Sequence, residues 1–286
     1  MRTLPFKQVD VFTQRPLRGN PVAVVIGANG LNSDDMQRLA AWTNLSETTF
    51  VLPPTSADAD YSLRIFTTKQ ELPFAGHPVI GSAHAAIESG YAVSKDEKLR
   101  QECLAGVIEL TVEATDAGRR IFVKIPQPKV TSIGGEMSRG LAAALGAARA
   151  DHAARRVDVG LVWIVADLGD ASAIAAITPK MDAIVKNCES LQATGVTVFG
   201  RADDGISALH VRSFAPLLGI SEDPVCGSGN ASVAAYLIHA GNLPAYGSEY
   251  IARQGMEIGR DGRVTVRVRG ESIEIGGYAV TCVDGQ

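Results

Sequence analysis

The apolar positions fall into short Val-rich runs parted by turn residues, with helix-spaced stretches between them. Residues 8–13 and 21–27 (PVAVVIG) predict two strands separated by a Pro/Gly/Asn turn. ETTFVLP predicts a third strand and YSLRIFT a fourth with alternating faces. Residues 106–114, 120–126, 158–166, 195–201 and 206–214 fit the same description, as do RVTVRVRG and SIEIGGYAVTCV near the end. Ser33 has the chemistry of an N-cap: Asp34 and Asp35 follow it, then Met36, Leu39 and Ala40 at helical spacing, with the helix ending near Asn44. LAAALGAARADHAA and ASAIAAITP are also helical, and Pro179 opens a further helix. Strands grouped around single helices, without strict alternation, favour an α+β fold over a doubly wound parallel sheet. No GxGxxG follows a strand, so a dinucleotide site has little support.

An internal likeness stands out within this pattern. ELPFAGHPVIGSAHAAIESG (71–90) and EDPVCGSGNASVAAYLIHAG (222–241) align at a constant displacement of 151 positions, with Glu71/Glu222, Pro73/Pro224, Gly76/Gly227, Ala83/Ala234 and Gly90/Gly241 identical. Each follows a strand that carries an arginine, SLRIFT or LHVRSFA. Chance likeness between two Gly/Ala-rich helix starts is the plain alternative. Five identities with shared flanks favour two homologous halves, and so two similar domains with a cleft between them. A helix start carries unpaired N–H groups and the positive end of the dipole. Two such starts facing one cleft would hold an anion, most simply a carboxylate, and would stabilise charge developing beside it. The backbone candidates are Gly76 with His77 in one half and Gly227 with Ser228 in the other.

The composition narrows the chemistry. The 286 residues are 46% hydrophobic and 20% charged, which suits a globular chain. A formal net charge of −4 argues against nucleic acid as a partner. No run approaches the length of a membrane span, and the N-terminus does not read as a signal peptide. Cys103, Cys188, Cys226 and Cys282 show no zinc-ligand spacing, and His77, His84, His152, His210 and His239 form no HxxxH pair, so no metal site is expected. Free thiols point to a cytoplasmic location.

Five motifs in order carry a resemblance: Val9 to Val25 (VDVFTQRPLRGNPVAVV), Ser46 to Val51 (SETTFV), Leu63 to Pro78 (LRIFTTKQELPFAGHP), Ser221 to Ser232 (SEDPVCGSGNAS) and Arg253 to Val266 (RQGMEIGRDGRVTV). Together they resemble the phenazine-biosynthesis PhzF-like family, similar in fold to diaminopimelate epimerase and proline racemase. The resemblance implies two domains, each a curved mixed β-sheet or barrel around a central helix, with the active site in the cleft between them. The expected division is residues 1–125, completed by the C-terminal strand 276–286, and residues 126–275. The resemblance further implies no cofactor, a homodimer, and a small carboxylic acid as substrate. In the best-known member a dihydro-hydroxyanthranilate is isomerised by a glutamate that moves one proton between ring carbons.

Carried over by residue, the family's acid/base carboxylate falls on Glu47, its histidine on His77 and its further acid on Asp223. The backbone donors fall on Gly227 and Ser228. Asn20, in GNP, sits where related folds supply an amide to the substrate. An ordinary glutamate is exposed and inert, but Glu47 opens a strand of apolar neighbours, and burial there would raise its pKa toward neutrality. His77, at a helix N-terminus, is disfavoured as imidazolium and suits a neutral hydrogen-bonding role. Asp223 is also a plain turn acid before Pro224. His84, two turns further along, is a packed or capping histidine. Racemases of this fold use two cysteines, one at each helix start; here Ala75 stands opposite Cys226, which speaks against a two-thiol racemase. Cys226 is either a reactive thiol with a pKa lowered by the helix start or a small packing residue beside the substrate loop. TGVTVFG aligned by eye with LSETTFV places Gly195 near the position of Glu47, leaving one carboxylate with no partner. The leading expectation is therefore a single-carboxylate isomerase. The alternatives are an epimerase or dehydratase of an amino or imino acid that uses Cys226 with Glu47, and a carboxylate-binding protein without catalysis.

Overall fold

The computed structural model describes residues 3–147 and 154–286. In chain order the elements are β1 (Phe6–Val11), β2 (Asn20–Ile26), α1 (Ser33–Thr43), β3 (Thr48–Leu52), β4 (Tyr61–Phe66), β5 (Glu71–Leu72), α2 (Gly76–Glu88), β6 (Lys98–Cys103), β7 (Gly106–Thr115) and β8 (Gly118–Lys124). They continue with β9 (Lys129–Ser132), α3 (Gly135–Leu145), β10 (Arg155–Asp158), β11 (Val162–Asp170), α4 (Ala171–Ala175), α5 (Met181–Ser190), β12 (Gly195–Arg201), β13 (Leu209–Ala215) and β14 (Ile220–Asp223). The last are α6 (Gly227–His239), β15 (Glu249–Gln254), β16 (Gly262–Arg269), β17 (Ser272–Gly277) and β18 (Ala279–Gly285). The fold is α+β with mixed sheets. No described helix is long and apolar enough to cross a membrane.

The chain separates into two compact units, Met1–Lys124 with Gly276–Gln286, and Ile125–Ile275. In the first, β1 lies antiparallel between β2 and β18, and β2 runs parallel to β3. β3 and β4 are antiparallel, and β4 takes β5 antiparallel and β6 parallel. The order repeats in the second unit. There β10 lies antiparallel between β9 and β11, β11 runs parallel to β12, and β12 is antiparallel to β13. β13 takes β14 antiparallel and β15 parallel.

Each unit packs its strands on one helix of 13 residues, α2 against β1, β2, β3, β8 and β18, and α6 against β9, β10, β11, β12 and β16. Both helices are apolar on nearly every face, as befits an element enclosed by sheet. An arginine clamp recurs beside each. Arg64 grips Glu71 through Nε and Nη2 at 2.7 and 2.6 Å, and Arg212 grips Glu222 through the same atoms at 2.8 Å each. Arg64 also reaches Ser33 Oγ at the start of α1, and Arg212 the carbonyls of Ile174 and Ile177 at the end of α4. The clamps thus fix the outer helices to the strands that precede α2 and α6. Outside these layers, α1 covers Val25, Phe50 and Phe66, while α3, α4 and α5 cover Ile164, Val196, Val198 and Phe214.

Several sequence expectations are corrected. The N-cap of α1 is Asn32, whose Oδ1 accepts from Asp35 N–H at 2.8 Å; Ser33 is the first helical residue. The strand expected over 158–166 is two strands, β10 and β11. The Asp158 carboxylate accepts from Gly160 N–H at 3.0 Å and Gly160 takes φ +98°, turning the chain within an apolar run. The helix beginning at Leu141 belongs to the end of α3 and stops at Leu145 with Gly146 left-handed; 148–153, with His152, lie outside the described residues. The helix assigned to Pro179 begins at Met181, with Lys180 as N-cap.

Candidate active site

In the first unit the chemistry gathers where β3 begins and α2 starts. Glu47 immediately precedes β3 and aims its carboxyl at the first turn of α2, with Oε2 3.5 Å from His77 Nε2; the side chains keep 14% and 9% exposure. Oε2 has no hydrogen-bond partner among the described residues. Burial pushes the Glu47 carboxyl up from 4.5 to about 7, against a smaller lowering by the Ser46 hydroxyl. Gly76 and His77 are the first two residues of α2, and no side chain caps that start. The N–H groups of a first turn have no intrahelical acceptor and carry the positive end of the dipole. Asn20 is buried at the head of β2, in the ladder opposite Val11. His84 lies deeper on α2, 3.3 Å from Thr281 Oγ1 and 3.7 Å from Glu88, with its pKa lowered by burial.

In the second unit the corresponding helix start is assembled differently. Asp223 ends β14, and its carboxylate accepts from Val225 N–H at 3.0 Å, the turn role open to an acid before proline. Cys226 is the N-cap of α6: its sulfur accepts from Gly229 N–H at 3.2 Å. The sequence expectation of a lowered thiol pKa is corrected here. Burial, with the Asp223 charge second, pushes the Cys226 thiol well up, so it is a neutral S–H. The four cysteines are free.

Gln254, at the end of β15, ties this start together. Its Oε1 accepts from Cys226 N–H at 3.1 Å and from Asn230 Nδ2 at 3.0 Å, and its Nε2 donates to Asp223 O at 2.9 Å. Gly227 and Ser228 form the first turn. Trp163 of β11 donates from Nε1 to Ser228 Oγ at 3.1 Å. Sequence reasoning missed Gln254, Asn230 and Trp163. Gln254 lies inside the RQG motif, the one signal that pointed toward it, whereas Trp163 stands in an ordinary buried strand.

The strand registers relate the halves position by position. Phe50 pairs with Arg64 across β3 and β4, and Val198 with Arg212 across β12 and β13. Three residues earlier along the chain lie Glu47, just before β3, and Gly195, the first residue of β12. No side chain fits at Gly195: a Cβ there would overlap the Phe214 carbonyl oxygen and lie 2.7 Å from Trp163 Cζ3. Among the described residues, no cluster of three or more His, Cys, Asp or Glu is arranged to hold a metal ion.

A family profile described as phenazine biosynthesis-like protein, PhzC-PhzF, matches residues 9–285. The chain belongs to the phenazine biosynthesis-like family. It is 41% identical to a Schizosaccharomyces pombe protein named Antisense-enhancing sequence 1, over 98% of this chain and 97% of that one. It is 33% identical to the trans-2,3-dihydro-3-hydroxyanthranilate isomerase of Pseudomonas aeruginosa, over 97% of each. The crystal structure of a Bacillus anthracis phenazine biosynthesis protein of the PhzF family superposes with a TM-score of 0.88 at 26% identity, covering 100% of this chain and 99% of the other. The family likeness therefore spans both helix starts.

Proposed function

We propose that the chain is a cofactor-independent isomerase of a small unsaturated carboxylic acid, with the Glu47 carboxyl as its proton carrier. Glu47 carries the reading. A carboxyl with a pKa near 7 takes and returns a proton with similar ease at neutral pH. A substrate C–H bond breaks, its proton passes to the Glu47 carboxylate, and its electron pair spreads into the adjoining unsaturated system. The same carboxyl then delivers the proton to another carbon. His77, 3.5 Å away, hydrogen-bonds the substrate or holds the carboxyl in place. The first-turn amides Gly76, Gly227 and Ser228 hold the substrate carboxylate and oppose the charge that develops beside it. Asp223 and Asn20 orient polar substituents. With glycine opposite Glu47 in the repeat, one carboxylate on one face performs both transfers. The named activity of the P. aeruginosa relative makes trans-2,3-dihydro-3-hydroxyanthranilate the first substrate to try.

The thiol alternative gains nothing from Cys226, which is neutral and occupied as a helix cap. The test is proton NMR in deuterium oxide on trans-2,3-dihydro-3-hydroxyanthranilate and a panel of unsaturated carboxylic acids. Wild type should isomerise or exchange at least one of them. Glu47→Gln should lose at least about a hundredfold in rate, and wild-type kcat/KM should rise with pH through about 7. Full turnover by Glu47→Gln would falsify the assignment. Binding without any exchange would leave the non-catalytic reading.

A further inference from the structure

Ser228 and His77 occupy the same place in the two copies of the repeat, and each meets one side chain from a neighbouring strand. His77 meets Glu47. Ser228 meets Trp163, whose ring is 1% exposed and stands over Gly195, the counterpart of Glu47. The indole therefore fills the ground where a second carboxyl would have to stand.

Resting on the reading that the start of α6 holds a carboxylate, we infer that Trp163 is a positioning residue that makes Ser228 a one-way hydrogen-bond donor to that carboxylate. An indole N–H donates and cannot accept. At 3.1 Å it takes one lone pair of Ser228 Oγ. The Cys226 sulfur lies 3.6 Å from the same oxygen, and either atom can be the donor in that contact. With the indole N–H held on one lone pair, the serine hydroxyl hydrogen turns from the weak sulfur acceptor to a stronger incoming oxyanion. Ser228 is the one member of this trio that is only partly buried, Trp163 and Cys226 being buried. An oxyanion is favoured at such a site and a hydrogen-bond donor is disfavoured, so the arrangement selects carboxylates over their amides.

The experiment uses the full chain, labelled with nitrogen-15, and benzoate as probe, a planar carboxylate with no proton to transfer. The chain has two tryptophans, Trp163 and the exposed Trp42, and so two indole N–H signals. Benzoate should move the Trp163 signal and leave the Trp42 signal in place, a readout that needs no variant to fold. Trp163→Phe, which keeps the ring and removes the N–H, should weaken benzoate roughly tenfold, as should Ser228→Ala. The double variant should bind no more than about twofold weaker than either single one, because Trp163 acts on the carboxylate only through the Ser228 hydroxyl. Benzamide should bind all forms equally poorly. Benzoate that binds wild type without moving the Trp163 signal, or losses that multiply in the double variant, would overturn the positioning role and leave the isomerase reading standing. A wild type that does not bind benzoate removes the carboxylate site, and both readings go with it.

Discussion

At the start of α2 an imidazole faces a carboxyl; at the matching start of α6 a hydroxyl faces an indole. Both helices run 13 residues, displaced by 151 positions, and both follow an arginine-clamped strand pair. The scaffold occurs twice, whereas the buried carboxyl beside the helix start occurs once. The buried carboxyl with its pKa near 7 belongs to the first unit. In the second unit, backbone and indole close the equivalent position. The proposed isomerisation needs one proton carrier, and a carboxyl present in one unit alone fits moving a proton along one face better than exchanging it between opposed bases.

The most drastic way to break this comparison is to force a carboxyl into the second unit. Gly195→Glu should not give a folded chain at 37 °C, and Gly195→Ala should lose about 3 kcal/mol, because its Cβ meets the fixed Phe214 carbonyl and the Trp163 ring. Urea unfolding measures this. A stable Gly195→Glu would show that the second unit is open to a second base.

The clamps sharpen the comparison at the level of the scaffold. Arg212 and Glu222 keep 6% and 9% side-chain exposure, Arg64 and Glu71 26% and 21%. Removing one partner of a buried pair strands the other charge, whereas a half-exposed pair is softened by solvent. Glu222→Gln should therefore cost about 3 kcal/mol and Glu71→Gln about 1 kcal/mol in the same urea assay. Equal costs would mean that burial does not separate the two clamps.

Stability against pH exposes the cost of the single carboxyl. The folded Glu47 pKa is raised from 4.5 to about 7, so between these values the folded chain holds a proton that the unfolded chain has released. Stability from this group falls as pH rises through that window and stays lowered above it. Glu47→Gln lacks the burden. It should match wild type near pH 4 and exceed it by about 3 kcal/mol at pH 8. A variant less stable than wild type at pH 8 would show that Glu47 is paired more favourably than its burial implies.

These contrasts were unequally legible in the sequence. The repeat could be read directly, because a glycine-opened helix behind a clamped strand leaves prolines, glycines and acids at fixed places. The α+β class followed from strands grouped around single helices. The 3.5 Å approach of Glu47 to His77, thirty positions apart, could not be read from spacing: a strand start and a helix start meet there through tertiary packing. Trp163 and the role of Gln254 were hidden for the same reason, since each acts on the start of α6 from another strand, and only the RQG motif marked Gln254. The turn at Gly160 escaped notice because it interrupts an apolar run that reads as one strand.

The smallest expected effect concerns Cys226, where the two helix starts differ by a cap. Ala75 offers α2 no side-chain acceptor, while the Cys226 sulfur takes the Gly229 N–H of α6. A serine oxygen accepts as well as sulfur at an N-cap, and alanine accepts nothing. Cys226→Ser should therefore leave stability within about 0.5 kcal/mol and proton exchange within about threefold of wild type, and Cys226→Ala should lose about 1 kcal/mol. Iodoacetamide should label Cys226 slowly at pH 7.5, since burial holds it as the thiol. Exchange that collapses in Cys226→Ser while the fold survives would move the proton carrier to the sulfur, and the second unit would then hold half of the chemistry after all.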